Sequence, residues 1–153
     1  DISNLRYGKI CILADADSDG LHIATLLCAL FLRHYKNLVT SGKIFVSMPP
    51  LYRIDAAKEV FYALDENEKE SIVKKIKKQN SKIKIDIQRF KGLGEMNPSQ
   101  LRETVMKPES RRLVQLTLSS SDNANSVFDL LLSKKRAPDR KEWLEKKGNL
   151  AEI

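Results

Sequence analysis

The feature that most constrains the fold is a short apolar run, residues 10–14, that ends directly in the acidic segment Asp15-Ala16-Asp17-Ser18-Asp19-Gly20. A continuous apolar run of this length is typical of a strand that is buried on both faces. In open α/β sheets, ligands bind beyond the carboxyl ends of such strands. Three carboxylates at alternate positions repel one another, and a divalent cation is the simplest group that would offset this repulsion. The segment therefore predicts a metal site at the end of a strand.

Magnesium is the cation that this segment fits best. An EF-hand calcium loop opens with similar residues, but its twelfth position requires a Glu and here it is Leu26. Mg²⁺ prefers a few carboxylates together with phosphate oxygens and water. Asp15 and Asp17 share one face of an extended chain, Asp19 either ligates directly or holds metal-bound waters, and Gly20 allows a tight turn into a helix. The alternative without a metal is a solvated acidic turn in which Asp19 caps the helix.

The spacing of apolar residues and turn signals predicts a mixed α/β fold. A strand at the apolar run, a helix over residues 21–39 and a second strand over residues 44–48 make a βαβ unit, which implies parallel strands. We expect residues 1–118 to contain this sheet and residues 119–153 to form a helical tail. The other expected elements are a hairpin, a lysine-rich helix capped by Asp65, two strands and two short helices, at residues 51–64, 65–79, 83–88, 114–118, 123–133 and 138–147.

A second informative segment is Gln88-Arg89-Phe90-Lys91-Gly92-Leu93-Gly94-Glu95-Met96-Asn97. Glycine lets a backbone approach a phosphate chain closely, and the basic side chains of Arg89 and Lys91 would attract the phosphates. His22 would lie in the first turn of the helix that follows the acidic segment, where it could contact a phosphate or a metal-bound water. These residues indicate a site that binds a phosphate backbone.

The composition is consistent with a partner that is a polyanion. The 153 residues carry a formal net charge of +7, which attracts polyanions such as duplex DNA. Three basic clusters would supply this attraction, and Arg112 in the second is a candidate DNA contact; they lie at residues 74–84, 111–112 and 134–141. No apolar stretch approaches the roughly 20 residues of a membrane span. Neither a signal peptide nor metal-type cysteine spacing is apparent, so we expect a cytoplasmic protein with reduced thiols.

Three stretches together resemble the B subunit of bacterial type IIA topoisomerases. They are residues 13–23, Met48-Pro49-Pro50-Leu51-Tyr52 and residues 89–97. The resemblance covers essentially the whole chain, and Ser18 and Leu21 are more like topoisomerase IV than gyrase, whose B subunit remains the alternative within the family. The resemblance implies an α/β fold of the following kind: a partial TOPRIM domain, with a parallel sheet built on the βαβ unit, and an α+β tail with short C-terminal helices.

The resemblance also implies an activity. Enzymes of this family depend on Mg²⁺, cut both strands of one DNA duplex, pass another duplex through the break and reseal it. Asp15 and Asp17 correspond to metal ligands and Asp19 to a supporting carboxylate, whereas His22, Arg89 and Lys91 fall where contacts to DNA are expected. The nucleophilic tyrosine belongs to the partner A subunit in an A2B2 heterotetramer, and ATP is bound only by the full-length B subunit. We therefore expect no catalytic residue in this chain and an association with the nucleoid.

Further expectations concern the completeness of the site and the rival functions. The family's metal site includes a Glu on an earlier strand, which we expect to precede residue 1. The metal site of this chain would then be incomplete, and the chain alone would neither cleave DNA nor hydrolyse ATP. The absent strand would leave a sheet edge that favours a homodimer. The rival functions are a non-catalytic basic nucleic-acid-binding module and, more remotely, an aspartyl-phosphate phosphatase, which also places Asp-x-Asp after an apolar strand.

Overall fold

A computed structural model describes residues 2–118 and 123–150 of the chain. The described strands are, in chain order, β1 (Ile10–Ile12), β2 (Ile44–Ser47), β3 (Tyr52–Ala56), β4 (Glu59–Ala63), β5 (Ile85–Arg89) and β6 (Leu113–Gln115). The described α-helices are α1 (Ser18–His34), α2 (Lys36–Thr40), α3 (Glu66–Gln79), α4 (Pro98–Leu101), α5 (Ala124–Leu132) and α6 (Ala137–Lys147). The expected mixed α/β architecture is therefore confirmed.

The first sheet contains the predicted βαβ unit. Its strand order is β1-β2-β6; β1 and β2 are parallel, whereas β6 is antiparallel to β2. Helix α1 buries Ala24, Cys28 and Leu32 against Ile12 and Ile44 of this sheet. Strand β1 lies at the edge of the sheet among the described strands. The homodimer expected from a free edge stays a prediction.

The helix predicted over residues 21–39 is two helices, and it begins earlier than predicted. Helix α1 begins at Ser18 because Asp17 caps it through its side chain. It ends at His34, since Tyr35 leaves the helical conformation (φ −131°, ψ 41°) before α2 begins. The Tyr35 ring packs against Phe31, with the ring centroids 5.9 Å apart.

The second sheet is antiparallel, with β3 between β4 and β5. Strands β3 and β4 form the predicted hairpin, whose turn contains Ala57 at a φ of 54°. Helix α3 covers this sheet and packs Ile76 against a core that includes Ile54. Asp65 caps α3 as predicted, because its Oδ1 accepts a hydrogen bond of 2.8 Å from the backbone N–H of Glu68.

The C-terminal helices pack on each other and on the first sheet. The guanidinium of Arg140 in α6 donates to the carbonyl oxygens of Leu130 (2.9 Å) and Ser133 (2.6 Å), at the end of α5. Phe128 of α5 packs against the core of the first sheet. The domain boundary predicted between residues 118 and 119 adjoins residues 119–122, which lie outside the described residues, so this division stays a prediction. No helix in the described part of the chain is long and apolar enough to cross a membrane.

Candidate metal and DNA-backbone site

The acidic loop after β1 is held by the first turn of α1. Asp17 has an extended backbone (φ −91°, ψ 179°), and its Oδ1 accepts a hydrogen bond of 2.8 Å from the backbone N–H of Gly20. This is the geometry of a helix N-cap. The alternative interpretation without a metal named Asp19 as the cap. That assignment is wrong because Asp19 already lies inside the first turn of α1, and Asp17 is the residue whose side chain reaches the free N–H group.

Asp15 connects the two segments that the sequence singled out. Its Oδ1 accepts a hydrogen bond of 2.7 Å from the backbone N–H of Leu93, which is 78 residues further along the chain. A Cβ atom on Gly92 would lie between 2.8 and 2.9 Å from the carboxylate atoms of Asp15. The sequence assigns Gly92 to the close approach of a phosphate, whereas here the group that approaches it is a carboxylate. No local signal in the sequence reveals this contact.

The loop of residues 89–97 is held by its own backbone contacts. Phe90 is buried, and its backbone N–H donates to the carbonyl of Leu51 at 2.9 Å. The backbone N–H of Lys91 donates to Oε2 of Glu95 at 2.9 Å. The side chains of Arg89 and Lys91 are exposed. The loop therefore carries two exposed basic side chains on a fixed backbone, and the charge of Arg89 also acts on the carboxylate of Glu66 in α3.

The other two predicted DNA contacts differ in their surroundings. His22 is exposed in the first turn of α1. Arg112 makes two hydrogen bonds to the carboxylate of Glu68 in α3, at 2.7 and 3.0 Å. Hydrogen bonding from Arg112 lowers the pKa of Glu68 below its ordinary value. Arg112 thus already has a structural partner, and its contact with DNA stays a prediction.

The carboxylates of the acidic loop do not form a complete protein cage for a cation among the described residues. Asp15, Asp17 and Asp19 are exposed, and Asp15 and Asp17 each give one oxygen to a backbone N–H. Within residues 2–118 and 123–150, no group of three acidic, histidine or cysteine side chains converges closely enough to hold a metal ion. Mg²⁺ is commonly held by one or two carboxylates, with water and substrate phosphates completing its shell. Binding of Mg²⁺ at the acidic loop therefore stays a prediction.

Comparison with known proteins identifies the family. The family of the DNA gyrase B subunit carboxyl terminus matches residues 82–145. Over its whole length, the chain is 62% identical to the B subunit of DNA topoisomerase 4 from Pseudomonas aeruginosa and covers 24% of that protein. The chain belongs to the type IIA topoisomerase B-subunit family. The corresponding DNA topoisomerase 4 protein of Haemophilus influenzae is 64% identical over the whole chain, which again covers 24% of the relative.

Within this family, the sequence is more similar to topoisomerase IV relatives than to a gyrase relative. The DNA gyrase B subunit of Thermotoga maritima is 42% identical, over 95% of the chain and 22% of the relative. This difference agrees with the resemblance drawn from Ser18 and Leu21. The chain spans 24% of the length of each of these two topoisomerase IV relatives. Membership of this family leaves no support for the aspartyl-phosphate phosphatase.

Proposed function

We propose that this chain is the TOPRIM part of a topoisomerase IV B subunit and supports Mg²⁺-dependent breakage and rejoining of duplex DNA. The observation that carries the proposal is the hydrogen bond between Asp15 and the backbone of Leu93, which joins the acidic loop to the basic loop of residues 89–97. A phosphodiester needs negative charge neutralised at the reacting phosphate and basic groups along its backbone. The two joined loops offer both kinds of group.

Each residue of the site has a separate task in this proposal. Asp15 and Asp17 hold Mg²⁺, and Asp19 ligates it or orients its waters. When bound, Mg²⁺ supplies charge stabilisation at the scissile phosphate. Arg89, Lys91 and His22 contact the DNA backbone and keep it in register, as phosphate contacts generally do; a contact from Arg112 is also proposed.

The remaining parts of the activity are assigned to other polypeptide segments. The nucleophilic tyrosine comes from an A subunit in an A2B2 heterotetramer, and ATP is bound by the full-length B subunit. The chain alone is then inactive in DNA cleavage and ATP hydrolysis. We expect an enzyme that separates linked chromosomes to act in the cytoplasm, at the nucleoid. A second candidate, a DNA-binding module without a metal, is favoured by the lack of three converging ligands among the described residues.

The experiment uses a full-length B subunit that contains this sequence, together with its A subunit. Asp15→Asn and Asp17→Asn remove the charges, but their amide oxygens still accept the hydrogen bonds that Leu93 and Gly20 donate; Asn is as good a helix cap as Asp. We expect each variant to lower Mg²⁺-dependent decatenation by about 100-fold or more, in the range reported for removing a group that stabilises transition-state charge.

The matched control is Asp65→Asn, which changes the cap of α3 in the same chemical way. This variant should keep nearly full decatenation, because Asp65 caps a different helix from the acidic loop. Duplex binding in EDTA should be unchanged or stronger in the two loop variants, since a negative charge is removed. Decatenation close to wild type in either loop variant would refute the proposed metal role. Metal-independent DNA binding as the sole activity of the complex would favour the non-catalytic module.

A further inference from the structure

Most of the net positive charge of the chain lies in one short segment, which we call the lysine segment, residues 74–84. It contains no acidic residue and six lysines: Lys74, Lys75, Lys77, Lys78, Lys82 and Lys84. Because the whole chain has a formal net charge of +7, the other residues together carry only +1. The attraction for polyanions that the total charge predicts is therefore concentrated at the lysine segment.

The lysine side chains of the segment lie on a surface that the described part of the chain does not use for packing, whereas Ile76 and Ile83 of the same segment pack against the second sheet. Helix α3 turns Ile76 towards the second sheet, with Ile72 and Val73 packed beside it. On the opposite face, Lys75 and Lys78 line a shallow groove together with Asn67, Ser71, Glu70 and Lys74. All six lysines of the segment are exposed. This face is free to contact a partner along the last turns of α3.

Most of these lysines have no acidic partner in the described part of the chain. Lys69, just before the segment, pairs with Glu66, and Lys74 pairs with Glu70 at 3.2 Å. The other five lysines of the segment make no ion pair with any described residue; they are Lys75, Lys77, Lys78, Lys82 and Lys84. Their charges are thus available to an external polyanion.

We propose that the lysine segment is a contact surface for the phosphate backbone of duplex DNA, separate from the acidic loop. Lysine acts as a point charge towards phosphates, whereas base readout commonly uses arginine, which the segment lacks. Single-stranded nucleic acid is bound on aromatic side chains, and the segment has none. The unpaired Lys75 and Lys78, three residues apart on α3, are separated by a rise of about 4.5 Å along the helix. This is close to the axial rise of about 3.4 Å between successive phosphates of one strand of a duplex.

Strand β5 separates the lysine segment from the candidate site. Lys84 immediately precedes β5, and Arg89 ends it. Five strand residues span about 17 Å, which corresponds to about five base pairs of duplex. The two surfaces are therefore distinct contacts. The identity of the polyanion as duplex DNA rests on the proposed function, but the contact itself needs neither Mg²⁺ nor the acidic loop.

The test compares two double variants of the chain that lose the same charge. Lys75→Gln/Lys78→Gln removes two unpaired lysines, and Lys141→Gln/Lys146→Gln removes two lysines that pair with Glu145 and Glu142 in α6. Binding of a 20-base-pair duplex is measured by fluorescence anisotropy in EDTA, from about 50 to 300 mM salt. We expect the salt slope of the first variant to fall by about 1.8, the value for two lost phosphate contacts, with a loss of affinity on the order of tenfold or more at about 0.1 M salt.

The control variant should change the slope by less than about 0.5, because its lysines are already paired. Equal changes in both variants would overturn the proposal, since net charge alone would then explain binding. An unchanged slope in the first variant would overturn it as well. Polyglutamate that binds as tightly as the duplex and displaces it would indicate an acidic protein partner instead. Because EDTA excludes Mg²⁺, these outcomes are independent of whether Asp15 and Asp17 support decatenation.

Discussion

Asp15 of the acidic loop lies very close to two glycines, Gly20 and Gly92. A Cβ on Gly20 would lie 2.1 Å from the carbonyl oxygen of Asp15, and a Cβ on Gly92 would lie 2.8 Å from its carboxylate Oδ2. The first contact involves backbone, which cannot move without reshaping the loop. The second involves a side chain that can rotate away. Gly94, two residues after Gly92, has no atom within 4 Å of such a Cβ.

These three positions predict a graded response to alanine. Gly20→Ala should lower the free energy of unfolding by about 2 kcal/mol or more, as overpacking of a fixed backbone does. Gly92→Ala should cost about 1 kcal/mol, because Asp15 must give up its hydrogen bond to the Leu93 N–H. Gly94→Ala should be close to neutral. Urea denaturation of the three variants measures the order, and a Gly94→Ala variant as unstable as Gly20→Ala would contradict it.

At this scale, the sequence marks the two segments that the structure brings together, whereas the roles of their residues stay predictions. The alternation of Asp15 and Asp17 marked the acidic loop, and the string around Gly92 marked its companion. The hydrogen bond from the Leu93 N–H to Asp15 joins residues 78 positions apart. Such a contact follows from the packing of whole elements, so no local spacing could predict it.

Three side chains hold the N-terminus of helix α3: Asp65, Glu68 and Arg112. Asp65 accepts a hydrogen bond from the Glu68 N–H, and Glu68 Oε2 accepts one of 2.7 Å from the Leu64 N–H. Arg112, beside β6, then pairs with the same Glu68 carboxylate. The carboxylate of Glu68 thus stabilises the start of the helix and links it to the strand region of the other sheet.

This link predicts a specific pH dependence of stability. Hydrogen bonding from Arg112 lowers the pKa of Glu68 in the folded state, so its stabilisation is complete above the unfolded pKa of about 4.3. The stabilisation is lost as the pH falls through the lower, folded pKa. Glu68 retains 30% exposure of its side chain, and we expect only about 1 kcal/mol from the pair.

Urea unfolding of the wild type and Arg112→Gln between about pH 7 and pH 3 measures this effect. The wild type should be more stable at neutral pH, and the difference should shrink as the solution is acidified. Arg102→Gln, which removes an exposed arginine with no ion pair to a described residue, serves as the control. Parallel pH curves for the wild type and Arg112→Gln would contradict the assignment.

Elements with local signals were predicted well, and those set by distant packing were not. The cap Asp65 was recognised because capping depends on residues within one turn. The interruption between α1 and α2 at Tyr35 contains no proline or glycine, so no local signal in the sequence predicted it. The last strand is shorter than the predicted residues 114–118, since β6 covers Leu113–Gln115 and Leu116 adds one backbone hydrogen bond to Ile44 of β2.

The whole molecule places the candidate site where its two sheets meet. Asp15 follows β1 of the first sheet, and Leu93 lies in the loop that follows β5 of the second. The βαβ unit was predictable because strand, helix and strand are consecutive in sequence. The contact between the two sheets was not predictable. The loop that follows β5 is separated from the acidic loop in sequence by the hairpin and α3, so its contact with Asp15 depends on how those elements pack.

This arrangement predicts that Mg²⁺ binding and DNA binding are coupled in the whole chain. Asp15 and Asp17 each commit one oxygen to a backbone N–H, and no three ligating side chains converge among the described residues. Mg²⁺ alone should therefore bind only at millimolar concentration. Phosphate oxygens of a duplex add the ligands that Mg²⁺ usually takes from a substrate, so its affinity should rise by about tenfold when duplex DNA is present.

Calorimetric titration of Mg²⁺ into the chain and into the chain with a duplex measures this coupling, after the heat of Mg²⁺ binding to the duplex alone is subtracted. The double variant Asp15→Asn/Asp17→Asn keeps the acceptors for Leu93 and Gly20. It should lose the DNA-dependent increase, because amide oxygens carry no net charge to offset that of the cation. Submillimolar binding of Mg²⁺ without DNA would contradict the prediction, since it would require a third protein ligand at the acidic loop.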